Sequence, residues 1–286
     1  NSGAGSYTVS GDALTIGSAG ITNNSANLQT VSNNLTLSTA MTASSASGAV
    51  VLAGTTALGT NTMTFAATAA MTTSGVISGS GPVVKTGAGT LTLSGASANT
   101  YSGLTTINAG TLNLDKSADT AAITGNVTLS AGGATLLLSA SGQVADTSVV
   151  TLSGGTIRRG GSISEVFGNL NVAAASFLDF GADNAAGTLR FGIYTASALL
   201  TVQNFLPGNK LQFATGFNTA LLPAGTPGNL SNADFSFSNG FTTGTEGGYF
   251  TITAIPEPST YVAAAGLLVL LVLARRRRAP SHLRHK

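Results

Sequence analysis

The chain has 286 residues, 43% of them hydrophobic and 8% charged, with 37 glycines, no cysteine and no tryptophan. An ordinary domain carries about 25% charged residues, and the absence of cysteine excludes disulfides, thiolate metal sites and a cysteine nucleophile. The net charge of +2 divides unevenly: six of the twelve Lys and Arg lie in 275–286, so the body before Glu257 holds six cations against nine acidic residues and has no basic stripe for phosphates, which excludes nucleic acid as a partner.

The chain opens at Asn1 without Met or an apolar leader and is read as a fragment whose N-terminal part was removed or never included. From Tyr7 it falls into short alternating runs, Tyr7-Thr8-Val9-Ser10, Ala13-Leu14-Thr15-Ile16, Asn34-Leu35-Thr36-Leu37 and Ala49-Val50-Val51-Leu52. Alternation bounded by Gly, Asn and Ser is the signal of half-buried strands. The alanine-rich section from Asn61 to Met71 reads as strand and turn, and no stretch before residue 255 has a helical period.

Gly89-Thr90-Leu91 recurs as Gly110-Thr111-Leu112, Gly133-Ala134-Thr135-Leu136 and Gly155-Thr156-Ile157, with successive threonines 21, 24 and 21 residues apart. A period of this length with Gly-rich turns predicts a solenoid, with Leu and Val inward, Thr and Ser outward, and Gly or Asn at the corners. At the stacking distance of parallel strands, about 11 coils make a rod on the order of 50 Å long. From Phe177 the composition shifts, since ten of the twelve phenylalanines follow. Residues 170–254 are therefore expected to complete the rod and cap it with bulkier side chains.

The C-terminal stretch has three parts: Pro256-Glu257-Pro258, an apolar run from Val262 to Ala274, and Arg275-Arg276-Arg277-Arg278. Two prolines around a glutamate make an extended, exposed element. Ser259 to Ala274 is 16 residues, just short of the usual membrane span of about 17 to 25, and the arginines lengthen it by snorkelling. Their charge places 279–286 as a basic cytoplasmic tail and the body outside.

Residues Lys85 to Gly95 and Asn99 to Leu112 closely resemble the autotransporter-associated β-strand repeat, with Gly20 to Ala26 and Ile77 to Gly81 fitting the lead-in of the same proteins. The resemblance implies a right-handed parallel β-helix of the kind that forms passenger domains. The order of tripeptide, short apolar helix and arginine cluster over 255–278 resembles the PEP-CTERM sorting signal of Gram-negative bacteria. That resemblance implies a membrane-embedded exosortase-type processing enzyme as partner, acting at Pro256, Glu257 and Pro258. It also implies transient anchoring in the inner membrane through residues 260–274, then release or transfer to the cell surface or extracellular matrix. The expected organisation is an all-β solenoid over 1–169 with its clearest repeat at 85–112, a terminal region at 170–254, the sorting signal with one short transmembrane helix at 255–278, and the tail at 279–286.

No catalytic, cofactor or metal site is expected. The histidines are His282 and His285, both beyond the apolar run, so a serine triad has no base in the body. Gly87-Ala88-Gly89 reads as a turn of the repeat and not as a nucleotide loop. What remains is carboxylate chemistry at Asp179 and Asp183, four residues apart, with Arg158 and Arg159 from a neighbouring coil; a glycosidase needs two carboxylates about 5 to 9.5 Å apart. These charges are more often a solvated face or turn ligands. Outward threonines such as Thr90/Thr92 and Thr60/Thr62/Thr64 could meet a repetitive surface such as glycan or ice, and Tyr101 and Tyr194 could stack on sugars. The expectation is a non-enzymatic, exported structural or adhesive rod, with extracellular polysaccharide as a further candidate partner. The alternative is a polysaccharide-binding or polysaccharide-cleaving β-helix.

Overall fold

A computed structural model describes residues 5–130, 132–183, 185–222 and 234–255. Over these the chain is an all-β parallel solenoid, with no α-helix among the described residues and one 3-10 turn at Thr219–Leu221. Each coil visits three faces in turn. Thr90–Gly95 lies on the first, Thr100–Tyr101 on the second and Thr105–Ile107 on the third, and Gly110–Lys116 then returns to the first.

The first face is a sheet of eleven parallel strands, from Tyr7–Val9 to Phe235–Phe237. The third has nine, from Ile21–Asn23 to Tyr194–Ala196. The second face is split into two five-stranded sheets. One runs from Leu14–Ile16 to Thr100–Tyr101; the other begins at Ser164–Val166 and continues through Thr188–Phe191 and Lys210–Ala214.

The four runs expected near the N-terminus appear as Tyr7–Val9, Leu14–Ile16, Leu35–Leu37 and Val50–Leu52, and the alanine-rich section contains the strand Met63–Ala67. The repeat period is the coil: Thr90 pairs with Thr111, Thr111 with Thr135 and Thr135 with Thr156. In the same strands Leu91, Leu112, Leu136 and Ile157 stack in register and are fully buried. Burying one such side chain contributes about 1.5 to 3 kcal/mol, realised only because the next coil covers it.

Corners need close backbone approach. Gly110 has φ +65, and a Cβ there would lie 2.5 Å from the carbonyl oxygens of Gly87 and Gly89, so no larger residue fits without moving backbone. Asparagines at other corners join coils: the side-chain oxygens of Asn34, Asn126 and Asn169 accept from the backbone N–H groups of Thr55, Val149 and Ile193.

Winding continues past residue 170, because Val150–Ser153 pairs in parallel with Leu170–Ala174 and Thr156–Arg159 with Ser176–Asp179. Among the described residues, the stack ends where direction reverses. Tyr249–Ala254 pairs antiparallel with both Lys210–Ala214 and Phe241–Glu246. Beneath this hairpin the phenylalanines interlock: Phe213 lies against Phe191, Phe217 and Phe235, and Phe217 stacks on Phe250 at 5.0 Å. The expected transmembrane helix lies outside the described residues, and among the described residues no helix is long and apolar enough to cross a membrane.

Candidate functional site

Asp179 ends a strand of the first face in register with Arg158, and the two form an ion pair at 3.5 Å. The other Asp179 oxygen accepts from Gly181 N–H at 3.0 Å and from Asn204 Nδ2 at 2.7 Å. Asp183 sits in the following turn, exposed, where its oxygens accept from the N–H groups of Gly161 and Ala185. The Ala185 amide, with that of Gly161, holds its carboxyl below the usual carboxylate range. Both carboxylates are thus acceptors that close turns and join coils.

The expectation that Arg159 projects beside them needs correction, because its side chain turns inward and is fully buried. One end nitrogen donates to the Gly161 carbonyl. The other donates to the carbonyls of Phe180 and Ala185 and to Asn209 Oδ1, at 2.8, 2.6 and 2.8 Å.

Tyr101 is also internal: it is 0% exposed, with its hydroxyl 2.8 Å from Thr105 Oγ1, so it offers no face to a sugar. Tyr194 is half-buried and packs on Phe213, Phe217 and Phe235. Thr90, Thr92 and Thr64 do face outward from their strands. On the third face an outward column runs in register through Thr42, Thr64, Val84, Thr106, Thr128 and Thr151 to Asn171 and Thr195. The strands of this face carry one charged residue, Lys85, and its side chain points inward, so the outer surface of the strands is uncharged. A sheet face of hydroxyls and methyls without charge suits a neutral partner better than a charged one.

The polar features that sequence reasoning missed are internal. Lys85 occupies a column between Phe65 and Ile107, where its ammonium donates to the carbonyls of Thr86, Gly87 and Ala109 at 2.8, 2.7 and 3.0 Å. Lys116, also buried, donates to the Ser94 carbonyl at 2.8 Å. Glu165 is buried with both oxygens on backbone N–H groups. A signal for Lys85 existed in its place within a strict alternation, Val83 in, Val84 out, Lys85 in. Among the described residues no group of three or more His, Cys, Asp or Glu could hold a metal ion. The sorting residues Pro256, Glu257, Pro258, Arg275, Arg276, Arg277 and Arg278 lie outside the described residues.

A family model described as a passenger-associated transport repeat matches residues 83–114. The match begins on the third face at Val83, winds once around the rod and ends on the first face at Leu114, taking in the Lys85 cage and the Gly110 corner. A repeat of this kind, set in a solenoid, is consistent with a secreted, passenger-like structural protein. No curated protein and no solved structure matches the chain.

Proposed function

We propose that the chain is an exported, non-enzymatic rod with a structural or adhesive role at the cell surface or in the extracellular matrix of a Gram-negative bacterium. An exosortase-type enzyme sorts it at Pro256-Glu257-Pro258, after transient anchoring in the inner membrane through residues 260–274. One observation carries the reading: the coil matching the passenger-associated repeat belongs to a stack whose last strand among the described residues ends at Ala254, two residues before Pro256. Processing near the tripeptide removes no residue of that last strand. The uncharged third face is the surface this rod offers to a neutral matrix polysaccharide, and the engagement of Asp179 and Asp183 in turn hydrogen bonds favours a binding role over cleavage.

Mass spectrometry of the C-terminus of the protein from native cells tests the proposal. A mature product ending near residues 256–258 is expected, and recovery of surface-located protein with Lys286 intact would falsify the sorting step.

A further inference from the structure

Outward apolar side chains concentrate along one line of the rod. Beyond residue 28, the exposed large apolar side chains among the described residues are Leu104, at 43%, and Ile193, at 62%. Both stand immediately before a strand of the third face, Leu104 before Thr105–Ile107 and Ile193 before Tyr194–Ala196.

Pairing across that face brings the positions before its strands into one column. Thr105 pairs with Val127, Val127 with Val150, Val150 with Leu170 and Leu170 with Tyr194, so Leu104, Asn126, Val149, Asn169 and Ile193 follow one another coil by coil. The column alternates: apolar at Leu104, Val149 and Ile193, amide at Asn126 and Asn169. Both asparagines are exposed, and each gives its side-chain oxygen to the backbone N–H of the next apolar residue, Val149 or Ile193. Each amide is thereby held along the column, with its nitrogen left to donate to something outside.

Beside this column run the outward residues Thr106, Thr128, Thr151, Asn171 and Thr195. Near its end Ala173 is the extra residue of a register shift opposite Leu152 and Ser153, and a shallow groove of about 260 Å³ lies there, lined by Asn171, Ala173, Thr195 and Ser197. Outward charges stand on the other two faces, at Asp115, Arg158 and Asp179 on the first and at Arg190 and Lys210 on the second.

Two strand spacings are about 9.6 Å, so the apolar step recurs at close to the length of a disaccharide in an extended β-1,4-linked glycan. In such a chain each sugar is turned over relative to the last, and the same edge returns only at every second sugar. Ring faces are C–H and bury favourably against apolar side chains, whereas the hydroxyl edges need hydrogen-bond partners.

Building on the neutral-polysaccharide reading above, we propose that the third face from Leu104 to Ile193 is a platform for an extended, uncharged β-1,4-linked glycan. Leu104, Val149 and Ile193 lie under alternate sugars, and Asn126 and Asn169 meet the hydroxyls of those between. Four coil steps span about 19 Å, which seats two disaccharide units. Glycans that coil, such as α-1,4- or β-1,3-linked chains, do not keep a straight two-sugar repeat in step with the rod, and an acidic polymer finds no cation on this face.

Co-sedimentation of the full chain with insoluble cellulose and chitin tests the proposal, with starch, a β-1,3-glucan and an acidic polyuronate in parallel. Binding to cellulose or chitin and not to the other three is expected. Leu104→Asn and Ile193→Asn each install the residue the column already uses at Asn126 and Asn169, and each should weaken binding about tenfold through the loss of one apolar contact. Thr92→Asn on the first face, where Asn113 stands in the same column, should leave binding unchanged. Leu104→Asn combined with Asn126→Leu keeps the apolar area but moves one step out of phase, so it should bind as weakly as Leu104→Asn alone. Wild-type binding by that double variant, or by both single variants on the third face, overturns the proposal. Equal binding to starch or the β-1,3-glucan overturns the β-1,4 assignment and leaves the neutral-polysaccharide reading standing. Binding to the polyuronate alone, or to no glycan, overturns both.

Discussion

The middle of the rod and its C-terminal end bury comparable columns by different means. In the middle, Leu91, Leu112 and Leu136 each lie between equivalent aliphatic side chains of the coils above and below, and the strands on either side run parallel. At the end, Phe213, Phe217, Phe235 and Phe250 interlock across elements, and a hairpin running antiparallel to Lys210–Ala214 covers them. A parallel stack presents the same open edge after every coil and can extend indefinitely. Stopping it takes a reversal of strand direction, together with side chains large enough to fill the volume a further coil would occupy. The outer strand of the hairpin, Phe241–Glu246, is exposed along all but its first residue and carries threonines and a glutamate, which suits an edge that should not recruit another strand.

The largest effect that separates the two regions is expected from Phe213→Ala. Phe213 meets Phe191, Tyr194, Phe217 and Phe235, so truncation opens a cavity shared by several elements and costs about 3 to 5 kcal/mol. In a one-dimensional stack that loss falls on the end first. Hydrogen exchange should show 235–255 opening early while the strands from Thr90 to Lys116 keep their protection. A loss of protection spread evenly along the rod would mean that the end is not a separate unit.

A smaller effect probes the middle. Replacing Lys85 by Met keeps the stem between Phe65 and Ile107 but leaves the carbonyls of Thr86, Gly87 and Ala109 without their ammonium donor. Leaving these partly buried acceptors unpaired costs up to about 1 to 3 kcal/mol, partly offset because a buried charge has also been removed. Urea denaturation of the variant should show a lowered midpoint with little change in slope. An unchanged midpoint would mean that the cage adds nothing beyond the aliphatic packing of the column.

These two residues also mark what the sequence made legible. The strands, the period and the stacking of Thr90 on Thr111 and Leu91 on Leu112 were readable, because a coil imposes period-two alternation locally and a fixed repeat globally. The concentration of phenylalanines pointed to the closing end. Hydropathy assigns every charge to solvent, and so it hid Lys85, Lys116, Arg159 and Glu165, each of which is held inside by backbone groups of adjacent coils. It also left Asp179 and Asp183 looking like a pair, since four residues of spacing does not reveal that one meets Arg158 and the other closes a turn. The reversal at Tyr249–Ala254 was not readable either, because alternation gives a strand its faces and not its direction.

The smallest expected effect tests whether packing or charge holds the closing hairpin. Lys210 and Glu246 form an ion pair at 2.7 Å between the last parallel strand of the second face and the outer strand of the hairpin. Both side chains are well exposed, at 34% and 55%. Solvent screens such a pair, and ordering two long side chains offsets much of the attraction, so it contributes about 0 to 1 kcal/mol. Glu246→Gln should therefore shift the unfolding midpoint of the end only slightly at low salt and not measurably at high salt. A salt-independent loss as large as that of Phe213→Ala would place the hairpin's stability in the charge pair. A small, salt-screened loss leaves the aromatic contacts of Phe217 with Phe213 and Phe250 as what holds the hairpin down. That outcome makes closure a matter of side-chain volume, the same quantity that the leucine columns use to keep the rod growing.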